Sequence, residues 1–378
     1  MKLPTWKRLV LKVGSALIAP ERQGCSSRYL LTLAQFIVRC RAQGTQVILV
    51  SSGSIAAGAH RFPEIPPATA PSARVALKKA MAAAGQTEMM AAWDKLFDFP
   101  SAQILLTHGD LRDRERYESI RETIFTLLEH EILPIINEND TVTTDALKVG
   151  DNDNLSAMVA AAADADTLII CSDIDGLYDK NPHLHADARL QPEVKRITQA
   201  IYDMAGGSHS DVGTGGMRTK IEAAEKAVSH GIDTYIINGF NESAFSALLE
   251  GDNPGTLFHA DERPMQELQH WMTHTASEQG EVIVQTVPGQ TLDEHCARLS
   301  CNKVLEIRGE FAAGDTILVR SKDGTRLAKA RANYGSSLLT FITEHDDPEL
   351  TSNLTDAQGS IISEQDIALL EHRIGEPR

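Results

Sequence analysis

The feature of this sequence that most constrains its fold is the alternation of short aliphatic runs with longer segments of helical periodicity. The runs are unbroken, which is typical of strands buried on both faces of a sheet. Segments between them, such as 27–43 and 218–230, carry apolar residues at helical spacing and stop before a glycine. The pattern predicts an α/β domain with a mainly parallel sheet. The runs are RLVLKV (8–13), TQVILVSS (45–52), AQILLT (102–107), ILPIIN (132–137), TLIICS (167–172) and DTYIIN (233–238).

Polar residues collect directly after these runs, and the most crowded stretch is INENDTVTTDALKVGDNDNLSA at 136–157, with five acidic residues and four asparagines. In parallel sheets, ligands bind beyond the carboxyl ends of the strands, so these residues are candidates for a site. Carboxylate and amide oxygens suit Mg²⁺, an ammonium group or the orientation of lysines. The same residue types are also common in exposed turns. The candidates in this stretch are Asn139, Asp140, Asp145, Asp151, Asn152, Asp153 and Asn154.

Two lysines stand in places where a phosphate site would use them. Lys12 interrupts an otherwise apolar strand beside Gly14, and such a lysine needs a partner or a function. Lys220 ends the run GTGGMRTK (213–220), where glycines open a helix and backbone N–H groups could cradle an anion. An exposed loop and a solvent-reaching lysine explain each feature equally well when it is taken alone. The P-loop pattern GxxxxGK[ST] is absent.

The character of the chain changes near residue 255. We expect an α/β domain over 1–260, a linker without clear element order over 261–280, and a small β-rich domain over 281–378. The last region holds short strand-like pieces and a hairpin signal at Lys322-Asp323-Gly324.

Composition limits the classes of function and the compartment. The formal net charge is -16, and residues 281–378 carry 10 Lys and Arg against 16 Asp and Glu, net -6, which disfavours nucleic acid as a partner. The five cysteines have no CxxC spacing, which favours reduced thiols in a cytoplasmic protein. Lys12 interrupts the apolar N-terminal run, which argues against a signal peptide, and we expect no membrane partner.

Eight segments occur here in the order found in the amino-acid kinase family, over roughly residues 8–260. The chain resembles that family, and within it the members that phosphorylate L-glutamate. The resemblance implies a three-layer αβα fold, and the tail is similar to a PUA domain. It also implies ATP-dependent phosphorylation of the glutamate side-chain carboxylate to L-glutamyl 5-phosphate, the first step of proline biosynthesis. The segments are KVGSALI, VILVSSGSIAAG, AAAGQ, RERYESIRETIFTLLE, ILPIINENDTV, KVGDNDNLSA, SDIDGLYDKNP and GTGGMRTKIEAA.

The resemblance also implies a role for each matching residue. Lys12, Asp153 and Lys220 would be catalytic, with Asp153 organising the two lysines. Ser52, Asp140 and Asn152 would bind glutamate. The residues implied to contact ATP are Lys12, Gly14, Ser172, Asp173, Thr214, Gly215, Gly216, Met217, Arg218, Thr219 and Lys220.

Cofactors and partners follow from the same resemblance. It implies ATP and Mg²⁺, with no metal ligands assigned, and a homo-oligomer with proline as a feedback inhibitor and glutamyl-phosphate reductase as a partner. Departures from the family pattern are Ala16, where a second hydroxyl residue is usual, Ser172 in place of threonine, and the stretch 271–274.

Three alternatives stay open at this point. The first is a kinase of the same fold with another acceptor: acetylglutamate, aspartate, carbamate or uridylate. The second is RNA binding by the tail, and the third is a catalytically weakened regulator.

Overall fold

The computed structural model describes residues 6–62, 70–143, 152–205, 216–285, 299, 303–345 and 360–370. The chain forms two compact units, Met1–Pro264 and Met265–Arg378. The domain bounds expected from the sequence, 1–260, 261–280 and 281–378, remain predictions. The structure adds a short helix, Glu267–His274, inside the segment expected to be a linker.

The N-terminal unit is built on an eight-stranded sheet. Its order is β3-β4-β2-β1-β5-β7-β8-β6, and the six strands from β3 to β7 in this order run parallel, whereas β8 is antiparallel to β7. Every residue of β4 and β5 is buried, as their unbroken apolar runs predict. The strands are β1 Arg8–Val13, β2 Gln46–Ser51, β3 Ser101–Leu106, β4 Leu133–Glu138, β5 Thr167–Ser172, β6 Glu193–Val194, β7 Asp233–Asn238 and β8 Thr256–Phe258.

Helices cover both faces of this sheet. The helices are α1 Ser15–Ile18, α2 Ser27–Ala42, α3 Ser54–Gly58, α4 Pro71–Asp94, α5 His108–Arg112, α6 Arg114–Glu129, α7 Asn152–Ala162, α8 Gln199–Met204, α9 Met217–Ser229 and α10 Glu242–Glu250, with a 3₁₀ turn at Ala59–Arg61. Leu9, Leu11 and Val13 of β1 pack in one core with α2, α4 and α10. The opposite face of the sheet is covered by α7 and its neighbours α6 and α9, and every residue of α7 is buried. The predicted three-layer αβα fold with a mainly parallel sheet is therefore confirmed.

The alternation of side chains along β1 decides where Lys12 goes. Because neighbouring residues of a strand point to opposite faces, Lys12 points away from the face occupied by Leu11 and Val13. Lys12 is paired in register with Val50 of β2 and Ile170 of β5, in the middle of the sheet. This central position places its long side chain under the amino-terminal end of α7, at the carboxyl edge of the strands.

The C-terminal unit is β-rich, as predicted. Its five-stranded sheet has the order β10-β9-β11-β12-β13, with β9 and β11 parallel and the other pairs antiparallel. The predicted hairpin turn joins β11 to β12, where Gly324 has φ 92° and its N–H donates to Ser321 O at 3.0 Å. The elements are β9 Gly280–Val284, β10 Val304–Arg308, β11 Thr316–Ser321, β12 Arg326–Ala332, β13 Ile362–Leu369, α11 Glu267–His274 and α12 Ser336–His345.

Helix α11 was not predicted from the sequence. It has eight residues, its N-cap Gln266 makes no side-chain cap hydrogen bond, and its buried residues include the adjacent pair Trp271 and Met272. A helix this short without a capping residue derives its stability from packing, which local sequence does not reveal. Among the helices of the described residues, none is both long and apolar enough to cross a membrane.

Candidate active site

Two buried lysines share one buried aspartate at the carboxyl edge of the sheet. Lys12 Nζ lies 2.5 Å from Asp153 Oδ1, and Lys220 Nζ lies 3.0 Å from Asp153 Oδ2. Lys12 comes from β1, Asp153 from the first turn of α7, and Lys220 from the first turn of α9. Their exposures are 6%, 2% and 6% respectively. The structure therefore brings together the three residues predicted to be catalytic.

The charge balance of this cluster favours an anion. Burial by itself raises the pKa of Asp153, but the charges of Lys12 and Lys220 outweigh it and hold that pKa well below its ordinary value. The aspartate is therefore ionised at neutral pH and has no proton to give. Within these three described residues, two lysines flank a single carboxylate, an arrangement that suits an anionic ligand.

Backbone geometry beside the lysines adds room and donors for a phosphate. Gly216 is the N-cap of α9 and makes no side-chain cap hydrogen bond, so side-chain capping does not occupy the first N–H groups of this helix. The Thr219 hydroxyl lies 3.0 Å from Asp153 Oδ2 and 2.9 Å from Gly216 O. A Cβ placed on Gly14 would lie 3.9 Å from Lys12 Nζ, so this glycine also borders the ammonium group.

The other residues expected to contact ATP are placed less uniformly. Ser172 ends β5 and donates to the carboxylate of the exposed Asp173 at 3.2 Å, while Met217 begins α9. The guanidinium of Arg218 instead pairs with Glu222 at 3.2 Å and lies over the ring of Tyr202, and neither contact involves the lysine pair. Thr214 and Gly215 lie outside the described residues, as do Asp145 and Asp151.

A chain of side-chain amides extends from the lysine cluster along the strand ends. Asn152, the neighbour of Asp153, donates from Nδ2 to Ser52 Oγ at 2.7 Å and to Asn137 Oδ1 at 2.8 Å. Asn137 in turn donates to Gln86 Oε1 at 2.9 Å. Within the described residues Asn152 Oδ1 is buried and has no hydrogen-bond partner. Two predicted glutamate-binding residues, Ser52 and Asn152, are thus in direct contact.

Asp140 is buried without a counter-ion in the described part of the chain. Its Oδ2 accepts a hydrogen bond from the Ser54 hydroxyl at 2.9 Å, while its Oδ1 is buried and has no hydrogen-bond partner among the residues that the structure describes. Burial raises the pKa of Asp140, and the hydrogen bond from Ser54 offsets only part of that effect. An ionised carboxylate in such a place favours a cationic group of a ligand.

The close contact between α3 and α4 positions Ser54. The sequence did not predict this contact. A Cβ on Gly85 would lie 1.9 Å from Ser54 O and 2.4 Å from Gly58 N, and one on Gly58 would lie 2.0 Å from Met81 O. Only glycines at 58 and 85 permit this backbone contact. The runs SIAAG and AAAGQ carried the signal, but roles for Ser54 and Gln86 did not follow from them.

Asn139 and Asn154 make hydrogen bonds with residues outside the Lys12–Asp153–Lys220 cluster. Asn139 accepts a hydrogen bond from Thr141 at 2.5 Å, and the side chain of Asn154 accepts one from Lys226. They support the surrounding loop and helix. The role of Asn137, by contrast, was missed, although the sequence places it directly at the end of a strand.

Sequence comparison places this arrangement in a known class. Residues 7–238 match the amino acid kinase family, and residues 292–346 match the PUA domain. The family match spans most of the chain and includes all three residues of the lysine–aspartate cluster. The chain belongs to the amino acid kinase family, a family of phosphotransferases.

Curated relatives narrow the class further. The chain is 67% identical to "Glutamate 5-kinase 1" of Pseudoalteromonas translucida (strain TAC 125), over 97% of this chain and 98% of that protein. It is 53% identical to the glutamate 5-kinase of Idiomarina loihiensis, over 90% and 91% of the two chains, and 45% identical to that of Salinibacter ruber, over 98% of each. Within its family the chain therefore groups with the glutamate 5-kinases.

Proposed function

We propose that this protein transfers a phosphoryl group from ATP to the side-chain carboxylate of L-glutamate, forming L-glutamyl 5-phosphate, the first step of proline biosynthesis. The observation that carries the proposal is the Lys12–Asp153–Lys220 cluster at the strand ends, together with the counter-ion-free carboxylate of Asp140. The first is suited to a phosphoryl group, and the second to the ammonium group of an amino acid.

The chemistry requires little beyond charge and position. The side-chain carboxylate of glutamate has a pKa of about 4.3 and is ionised at neutral pH, so it attacks without a general base. The barrier comes from bringing an anion in line with a polyanion and from charge on the transferring group. Lys12 and Lys220 neutralise that charge, and Asp153 holds both ammonium groups in one place.

Asp140 gives the proposal its selectivity for a free amino acid. Its unpartnered Oδ1 would accept from the glutamate ammonium, and an acetylated amine carries no charge for it to neutralise. Asn152 donates a hydrogen bond to Ser52 at 2.7 Å, and both residues would bind glutamate between Asp140 and the two lysines.

The nucleotide would lie on the opposite side of the lysines from glutamate. We assign its phosphate contacts to Lys12, Lys220, and the residues of the two glycine turns, and its further contacts to the loop after β5. The assigned residues are Gly14, Thr214, Gly215, Gly216, Met217, Thr219, Ser172 and Asp173, with Arg218 included from the family resemblance alone.

Mg²⁺ would enter with ATP. Among the described residues no group of three or more His, Cys, Asp or Glu side chains could hold a metal ion, and both oxygens of Asp153 already face lysines. The phosphate oxygens and water would then supply the ligands, which is common for Mg²⁺ in kinases. The ion would neutralise phosphate charge that the lysines do not reach.

The remaining partners follow from the family. We propose a cytoplasmic homo-oligomer that proline inhibits and that passes its unstable acyl phosphate to a glutamyl-phosphate reductase.

Trapping the product tests the proposed function. The purified protein is incubated with Mg·ATP, hydroxylamine and one acceptor at a time, and the hydroxamate formed from an acyl phosphate is measured. We expect the hydroxamate with L-glutamate and at most traces with acetylglutamate or aspartate. Carbamate and uridylate, whose phosphorylated products give no hydroxamate, are followed by ADP release. In the same assay the Lys220→Ala variant should lose most of its activity, and Lys195→Ala, at an exposed lysine, serves as its control. Preference for any other acceptor would show the proposal to be wrong.

A further inference from the structure

The side-chain amide nitrogen of Gln86 is a buried donor that has no acceptor in the described part of the chain. Its Oε1 accepts from Asn137 at 2.9 Å, but its Nε2 is buried and has no hydrogen-bond partner among the described residues. A buried amide nitrogen without a partner destabilises the ligand-free protein. Unsatisfied groups of this kind in a binding site are often completed by the ligand, so the question is which ligand atom would face this nitrogen.

The direction of the amide chain follows from one backbone group. The N–H of Glu138 donates to the Asn137 side chain at 2.9 Å, and a backbone N–H can only donate. The accepting atom of Asn137 is therefore its oxygen, so its Nδ2 faces Gln86 as a donor. Gln86 must accept there through Oε1, which leaves its Nε2 as the free donor at the end of the chain.

The free donor lies at the end of the chain farthest from the reacting group. Asn152 is next to Asp153, which holds both lysines, and it contacts Asn137, which contacts Gln86. A substrate with its side-chain carboxylate at the lysines would extend along this chain, so its other end would meet Gln86. That end of glutamate bears an ammonium group and a carboxylate on the same carbon.

The α3–α4 contact connects the two elements that position the proposed head-group partners. Ser54 donates to Asp140 at 2.9 Å, and the backbone oxygen of Ser54 lies against Gly85, the residue before Gln86. Asp140 offers an acceptor for the ammonium group, and Gln86 offers a donor for a carboxylate. These are the two complementary groups that one α-amino acid head requires.

We infer that Gln86 Nε2 donates a hydrogen bond to the α-carboxylate of the acceptor amino acid, which makes Gln86 a specificity-determining residue. This inference rests on the proposed function. It concerns the non-reacting end of the substrate, so removing the contact raises the KM for glutamate more than it lowers kcat.

A change of donor to acceptor at this position tests the inference. Gln86→Glu keeps an oxygen for Asn137 but replaces the free donor by a carboxylate oxygen, which repels an α-carboxylate. It can accept from the amide of L-glutamate α-carboxamide, an analogue that retains the reacting side chain and the ammonium group. Gln86→Met removes the donor without adding charge, and Thr87→Glu adds the same charge one residue along on an exposed position of α4.

The readout is the ratio of kcat/KM for L-glutamate to kcat/KM for its α-carboxamide, measured by hydroxamate formation. In Gln86→Glu we expect this ratio to fall by about 100-fold or more, and in Gln86→Met by about 10-fold, since a lost hydrogen bond to a charged group changes discrimination by this order. Thr87→Glu should leave the ratio unchanged.

The other possible outcomes distinguish a failure of this inference from a failure of the proposed function. Equal loss of activity toward both substrates, with an unchanged ratio, would make Gln86 a structural residue only and overturn the inference. If Gln86→Glu does not fold, an unchanged ratio in Gln86→Met overturns it equally. If the wild-type protein forms no hydroxamate from L-glutamate, it is the proposed function that fails, whatever the variants do.

Discussion

Asp140→Asn separates stability from substrate binding more sharply than any other change at this site. The wild-type carboxylate is 7% exposed, one oxygen accepts from Ser54, and the other has no partner in the described residues. Burial raises the pKa of Asp140 above its unfolded value. The folded state therefore binds the proton of Asp140 more tightly, so the contribution of this residue to stability is greatest at acid pH and is lost as the pH rises through the raised pKa.

Asp140→Asn removes the cost of burying a charged carboxylate and keeps the shape of the side chain. Asparagine is neutral and still accepts from Ser54, so the ligand-free variant should be more stable than wild type at pH 7. The gain should be about 1 kcal/mol, the low end of the cost of an unpaired buried group, because the new amide N–H also lacks a partner. As the pH falls through the raised pKa of Asp140, the two proteins should approach equal stability, since the wild-type carboxyl group becomes neutral in the fold.

The same substitution should weaken glutamate binding although it raises stability. Removing one partner of a buried charge pair costs about 2–5 kcal/mol, which corresponds to a KM for glutamate raised by about 30-fold or more. Calorimetry at pH 7 and pH 4, with and without glutamate, measures both effects, and Asp252→Asn at an exposed position is the control. A variant that is less stable at pH 7 and binds glutamate normally would refute this account of Asp140.

Three further changes test the rest of the site. Lys220→Ala should lower kcat by at least about 100-fold, or about 2.7 kcal/mol, and near-normal turnover would remove this lysine from the mechanism. Asp153→Asn leaves two ammonium groups without their carboxylate and should cost about 3–5 kcal/mol of stability in chemical unfolding. Because the pKa of Asp153 is depressed in the fold, its contribution is complete above the unfolded value of 3.8 and is lost only as the pH falls below it, so a difference already gone at pH 6 would contradict the ion-pair account. Gly85→Ala should force α3 from α4, cost about 1–3 kcal/mol of stability and raise the KM for glutamate through Ser54. Gly109→Ala, whose Cβ would lie 3.4 Å from the Thr107 hydroxyl oxygen, should change neither stability nor KM. Equal effects of the two substitutions in calorimetry and kinetics would show that the close contact is unimportant.

The sequence alone determined the layers of the N-terminal unit and the edge at which its site lies. Unbroken aliphatic runs can be satisfied only by burial on both faces, and short connections between such strands and helices make the sheet mainly parallel. A lysine inside β1 and a glycine-rich helix start were visible as candidates for one anion site. The resemblance to a family then joined them to Asp153, which periodicity could not have done.

Tertiary structure decided which atoms meet. Asp153 lies 141 positions from Lys12 and 67 from Lys220, and a local pattern carries no information about pairing over such distances. The polar atoms of Asp140 and Gln86 that lack a partner within the described ranges could not be predicted from the sequence either. They depend on a backbone contact between α3 and α4 and on the direction of an amide chain that begins at one N–H. Periodicity reports which side of an element is buried, whereas the hydrogen bonds that orient polar groups depend on neighbours that only packing supplies.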